Sequence, residues 1–133
     1  MRGLVKFVIC LLFLSVVASA SAEEEANYPR YYVLKPSFIT NVKSRGGGDA
    51  YAKISVSIMG RDSQTIHDLR ANDPMIRNAL IMLFTDKYRS HLQTAKGREA
   101  LREEAQEVVQ EVLINEGITG RIDRVLFIHF IVE

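Results

Sequence analysis

Apolar and polar side chains alternate most cleanly in "AYAKISVSIMGR", Ala50 to Arg61. Ile54, Val56 and Ile58 occupy one set of positions, and Lys53, Ser55 and Ser57 the other. A period of two puts the sets on opposite faces of a strand, one dry and one wet. The stretch before it, "YYVLKPSFITNV", is rich in aromatic and β-branched residues and predicts a strand from Tyr31 to Val42. Pro36 has no amide to donate, so it requires a bulge or an edge position. The loop "KSRGGGD" joins the two strands into an antiparallel pair. Its three glycines invite a phosphate-cradle reading, but no "GK[ST]" follows and the next element is a strand, so the run reads as a flexible hairpin.

The period then changes. "DSQTIHDLRAN" predicts a short helix capped by Asp62 or Ser63. In "DPMIRNALIMLFTD", Asp73 reads as the cap and Pro74 as the first helical residue, where a missing amide costs nothing. Ile76, Ala79, Leu80, Leu83 and Phe84 form a broad apolar face with Met75 and Met82 beside it, which predicts the most buried helix. "KYRSHLQ" reads as a connecting turn. A long helix follows, capped by Thr94 and reaching about Asn115, with Leu101, Ala105, Val108, Val112 and Leu113 as its buried stripe. Gly97 falls in its first turn and reads as a boundary glycine, placed where the helix cost of glycine is small. Gly117 is available for a left-handed cap. "RVLFIHFIV", Arg124 to Val132, is apolar on both faces except at His129 and predicts an interior strand. The order β-β-α-α-α-β implies an α+β fold, with helices packed on one face of a three-stranded sheet.

Length and charge narrow the picture. With 133 residues the chain holds one domain plus a leader, and a formal charge of +1 without tryptophan gives no electrostatic or stacking footprint for nucleic acid. The leader is residues 1–22. Arg2 and Lys6 precede an apolar run from Phe7 to Ala20, and Ala20-Ser21-Ala22 supplies an A-x-A cleavage site. The run is short for a spanning helix, which needs roughly 17 to 25 residues. An export signal cut after Ala22 is therefore the expectation, with a short uncleaved membrane anchor as the rival. Either places the remainder outside the cytoplasm, as a spacer at 23–30 and a domain at 31–133. Cys10 is the only cysteine and lies in the leader. Phe7, Val8 and Ile9 before it do not form a lipoprotein triplet, so neither disulfide nor lipid anchor is expected.

No chemistry-bearing constellation emerges. His67, His91 and His129 fall on different predicted elements, and no His-x-x-x-His, Cys-x-x-Cys or G-x-S-x-G pattern occurs. Glu103, Glu104, Glu107 and Glu111 read as a solvated helix face, since no histidine accompanies them at ligand spacing. No enzyme is expected, and no catalytic, cofactor-binding or metal-binding residue is assigned.

Three segments resemble the FliL family of flagellar basal body-associated proteins. "YYVLKPSFITNV" is similar to its opening strand. "DLRANDPMIRNALIMLFTDKYRSHLQTAKGREALREE" is similar to its central signature, "P-x-I-R-[DN]-x-L" followed by "L-x-T-x-x-G-[RK]-x-x-L-R". "VLFIHFIVE" is similar to its last strand. The resemblance implies a stomatin/prohibitin-like domain on the periplasmic side of the inner membrane. It also implies a non-enzymatic structural and regulatory role, in a ring of identical copies that associates with flagellar stator proteins and supports torque and swarming. It brings no cofactor, nucleic acid or small-molecule substrate; the inner membrane is a partner if the leader is retained. The alternative is a stomatin-like envelope scaffold or binding module unrelated to motility. A ring needs a closing head-to-tail interface, and the candidate partner-binding residues are Arg61, His67, Arg70, Arg77, Arg98 and Arg102.

Overall fold

A computed structural model describes residues 30–133; the leader and nearly all of the spacer lie outside the described residues. The first strand, β1 (Arg30–Asn41), and the second, β2 (Tyr51–Gly60), form the expected antiparallel pair. The pairing slips between Leu34 and Phe38, at the cis Lys35–Pro36 bond. Pro36 thus occupies both a bulge and an edge strand, the two places where its missing amide breaks no ladder.

Four helices follow: α1 (Ser63–Ala71), α2 (Asp73–Thr85), a single turn α3 (Arg89–Leu92), and α4 (Ala95–Asn115). The chain closes with β3 (Ile122–Val132). The architecture is α+β in the expected order, with α3 as one extra turn where a plain connection was expected. Burial of Leu92 and the Tyr88 bridge to Lys43 hold that turn. The base of the glycine-rich hairpin is fastened there too. Lys43 N–H donates to the Lys87 carbonyl, Arg89 N–H donates to the Lys43 carbonyl, each at 2.8 Å, and the Arg45 guanidinium sits 4.9 Å from the Tyr88 ring centre.

The sheet order is β1-β2-β3, all antiparallel. This corrects one expectation: β2 is the interior strand and β3 an edge, although β3 is apolar on both faces. A second correction concerns β2. Ser55 and Ser57, expected on a wet face, are only 9% and 3% exposed. Ser57 lies between Val33 and Leu126 on the neighbouring strands, and these larger side chains shade the small serine.

The core lies between sheet and helices. Ile54, Val56 and Ile58 of β2 meet Ile76, Leu80 and Phe84 of α2 and Leu101, Ala105, Val109 and Leu113 of α4, all essentially inaccessible to water. On α4 the fully buried positions recur every four residues. Val109 takes the central place expected for Val108, while Val108 and Val112 flank the stripe half-buried. On α2 the methionines do not adjoin the core: Met75 and Met82 point away from it. Phe84 stacks edge-on against Phe38 of β1 at 5.4 Å and Phe127 of β3 at 6.1 Å.

The helix ends follow capping chemistry, with one exception. Asp62 caps α1, its carboxylate accepting from the Thr65 backbone N–H at 2.7 Å and the Thr65 hydroxyl at 2.8 Å. Gly117, at φ +73°, ends α4; Ile118 N–H returns to the Leu113 carbonyl at 2.9 Å, the Schellman pattern. Asp73, however, is the first residue of α2 and not its cap. Asn72 holds the cap position without a side-chain bond and instead donates to the Asp68 carbonyl at 2.8 Å, because α1 ends at the same residue.

Thr94 caps α4 as expected, accepting from Gly97 N–H at 2.9 Å while donating to the His91 carbonyl at 2.8 Å. Gly97 itself is more than a boundary residue. A β-carbon there would stand 1.9 Å from the His91 carbonyl oxygen. The α3–α4 turn folds its backbone directly onto this position.

Three outcomes are expected. Helix propensity alone would make Gly97→Ala stabilising by up to about 1 kcal/mol, but backbone crowding makes it destabilising by about 1–3 kcal/mol. The urea midpoint should fall with an unchanged slope. Phe84→Ala should cost about 3–5 kcal/mol in the same assay. The bonds from Thr65 hold the Asp62 carboxyl below the usual carboxylate range. Its ionised form therefore adds stability that is present above about pH 4 and lost as pH falls through the depressed folded value. Asp62→Asn keeps an acceptor but cannot titrate, so the stability gap between the two chains at neutral pH should narrow in acid denaturation series.

Candidate functional site

Strand alternation and the helix layer create two apolar faces on opposite sides of the molecule. The helices cover one face of the sheet, which leaves the other open. Tyr31, Val33 and Ile39 project there from β1, Tyr51 from β2, and Ile128 and Ile131 from β3; all are exposed, Ile39 to 71%. Ser37, Ser55 and Ser57 lie low along the middle, and the Ser37 and Ser55 hydroxyls share a hydrogen bond of 2.7 Å. The face therefore mixes shaded serine hydroxyls with exposed apolar side chains. Its cations are Lys53 and Arg124, with one carboxylate, Glu133, at a corner.

The second face is the outward side of the helix layer. On α2 the buried positions Ile76, Leu80 and Phe84 define an inward direction. At 100° per residue, Asn78 and Met82 fall opposite, with Met75 alongside. Met82 is 67% exposed, and Ile114 on α4 is comparably open. Pro74, Met75, Asn78 and Ala79 of α2 line a groove with Val112 and Asn115 of α4. Glu103, Glu107 and Glu111 occupy the exposed side of α4. Among the described residues, no three His, Cys, Asp or Glu side chains are placed to hold a metal ion, and no helix is long and apolar enough to cross a membrane.

The six basic candidates do not form one patch. His67 and Arg70 are exposed on α1. Arg77 is half-buried on α2, donating to the Pro36 carbonyl at 2.7 Å, lying 3.8 Å from Asp73 and stacking 4.5 Å from the Phe38 ring centre. The other Asp73 oxygen accepts from the Tyr32 phenol at 2.8 Å. Burial, then this bond, pushes the Tyr32 phenol up.

Arg98 and Arg102 belong to α4, near the opposite edge of the sheet. The Arg98 guanidinium lies 5.8 Å from the Phe130 ring centre. Arg102 forks onto Glu99, with contacts of 2.9 and 2.6 Å to one oxygen and 3.0 Å to the other, which holds the Glu99 carboxyl below its usual range. Arg102 also reaches Gln106 at 3.3 Å. Arg61 stands apart, 3.3 Å from Asp123. Arg77 and Arg102 are thus spent on internal contacts, which sequence spacing could not reveal. The apolar open face was also missed, because β3 reads equally as an interior strand and only the strand order leaves one of its sides uncovered.

The fold has relatives of known kind. The family model described as flagellar basal body-associated protein FliL matches residues 31–132. The flagellar protein FliL of Aquifex aeolicus (strain VF5) is 28% identical over 102 residues, which are 77% of this chain and 60% of that protein. The chain therefore spans about 60% of that relative's length. With the match running from the start of β1 to the end of β3, this chain belongs to the FliL family of flagellar basal body-associated proteins.

Proposed function

We propose that this chain is a non-enzymatic structural and regulatory part of the flagellar motor. Copies form a ring on the periplasmic side of the inner membrane, associate with stator proteins, and support torque and swarming. The family match across the whole described domain carries this reading. The surface supports it: large apolar side chains stand exposed on two faces, as in proteins that work by contact. The domain is delivered by residues 1–22, an export signal cut after Ala22, with residues 23–30 as spacer. Of the basic candidates, Arg61, His67, Arg70 and Arg98 are exposed contact residues, while the half-buried Arg77 and Arg102 contribute through the side chains they hold.

Cells lacking the chain should swim or swarm poorly, and re-expression should restore the behaviour. Normal motility with a sensitised envelope would instead establish the envelope-scaffold reading. In the restored cells the intact mass of the protein should correspond to a start at Glu23; a start at Met1 would replace the soluble form with an anchored one.

A further inference from the structure

Register arranges the open face of the sheet in cross-strand rows. Ile39, Lys53 and Ile131 form one row, and Tyr31, Met59 and Arg124 another. Tyr51 pairs with Glu133 at the far end, so the two exposed tyrosines stand at opposite ends of the face. The charges here are nearly all of one sign. The three strands contain Arg30, Lys35, Lys53 and Arg124 against a single acid, Asp123, and that acid lies on the helix side against Arg61. Among the described residues, Lys53 and Arg124 form no ion pair, whereas Lys43, Arg61, Arg77, Lys87 and Arg102 each hold a carboxylate. Lys53 stands exposed between two exposed isoleucines, and its charge serves no contact inside the domain.

We infer that the open face docks on an anionic lipid bilayer, with Lys53 and Arg124 on headgroup phosphates and the neighbouring isoleucines and tyrosine rings at the boundary between headgroups and acyl chains. The inference rests on the placement proposed above, at the periplasmic side of the inner membrane, and names a contact that the domain makes with that membrane independently of the leader. Charge favours lipid over protein. A protein occupant must set a carboxylate opposite Lys53, in the middle of an apolar row, or leave the ammonium buried and unpaired. A bilayer offers mobile phosphates at every position, and the long stem of lysine keeps its ammonium at their level while covering apolar surface. Depth agrees. Packed sheets lie about 10 Å apart, so one layer of sheet side chains is about 5 Å thick. Interfacial elements bury their apolar side by roughly 5–10 Å. Tyrosine suits the ends of such a face, because its ring is apolar and its hydroxyl stays wet.

The experiment uses the full chain in the form that accumulates in the cell. It is mixed with vesicles of phosphatidylglycerol and phosphatidylcholine in equal parts, or of phosphatidylcholine alone. Exposed lysines are then acetylated and mapped by mass spectrometry, with Lys96, exposed on α4, as the internal reference. Anionic vesicles should reduce acetylation of Lys53 several-fold and leave Lys96 unchanged, and phosphatidylcholine should protect neither. A retained leader tethers the chain to both vesicles alike, so the contrast between them reports the face. Co-sedimentation with anionic vesicles should weaken about fivefold in Arg124→Gln and about tenfold or more in Ile39→Asp, which loses apolar contact and adds a like charge. Met82→Asp, on the helix layer, should bind like the parent. All three positions are exposed, so the variants should fold, which circular dichroism verifies.

Equal acetylation of Lys53 and Lys96 on anionic vesicles would overturn the inference and leave the motor role untouched. Protection of Lys53 by inorganic phosphate alone, at matched phosphate concentration, would overturn it too, since the site is then one for a free anion. So would an Ile39→Asp chain that binds vesicles like the parent but fails to restore motility, which assigns the face to a protein. Vesicle binding as expected, in cells that swim normally without the chain, upholds the lipid surface and removes only the motor role.

Discussion

Phe84 ties the two edges of the sheet to one helix. Its ring meets Phe38 on β1 and Phe127 on β3, reaching across the central strand between them. A sheet of three strands needs a covered face to be stable, and here the cover fixes the edges as well as the middle. The relative tilt of β1 and β3 is set from the helix side. Five of the six large apolar side chains exposed on the far side belong to those same two strands, so their spacing is tied to the packing around Phe84. Core and open face are two sides of one constraint.

That coupling keeps the whole domain stiff. The rigid layer lies inside, between β2 and the helices, and the exposed apolar side chains are backed by it directly. Arg77 and Arg102 contribute from within. Arg77 clamps α2 to the Pro36 bulge, and Arg102 connects Glu99 to Gln106 and through it to β3. Charged side chains that look free in a linear reading are part of the frame, and the surfaces that stay free are largely apolar.

Much of the fold was legible because its signals are local. Alternation located β2, and caps at Asp62 and Thr94 and the stop at Gly117 marked helix ends where the structure has them. What was not legible depends on contacts distant in sequence. Ser55 and Ser57 are polar by composition, yet Ser57 is shaded by Val33 and Leu126 and Ser55 meets Ser37 and His129, neighbours that only the register brings near. The choice of Val109 over Val108 reflects how α4 rolls onto the sheet, and several spacings of three and four are compatible with one stripe. Gly97 looked permissive because propensity counts the glycine alone; the His91 carbonyl pressed against it is a fact of the turn's path. The exposed face escaped notice because an apolar edge strand and an apolar central strand have the same spelling. The distinction lies in the strand order, which the residues of β3 alone do not carry.

Gln106 and Gln110 deal with a hazard that every open sheet carries. Their amide oxygens accept from the N–H groups of Val125 and Ile122, and Gln110 also donates to the Gly120 carbonyl. The helix thereby occupies the outer hydrogen-bonding positions at the start of β3, where a stray extended polypeptide could otherwise add itself as a fourth strand. Accidental growth of the sheet at that end is thereby blocked, and whatever approaches the start of β3 meets side chains before it meets bare backbone.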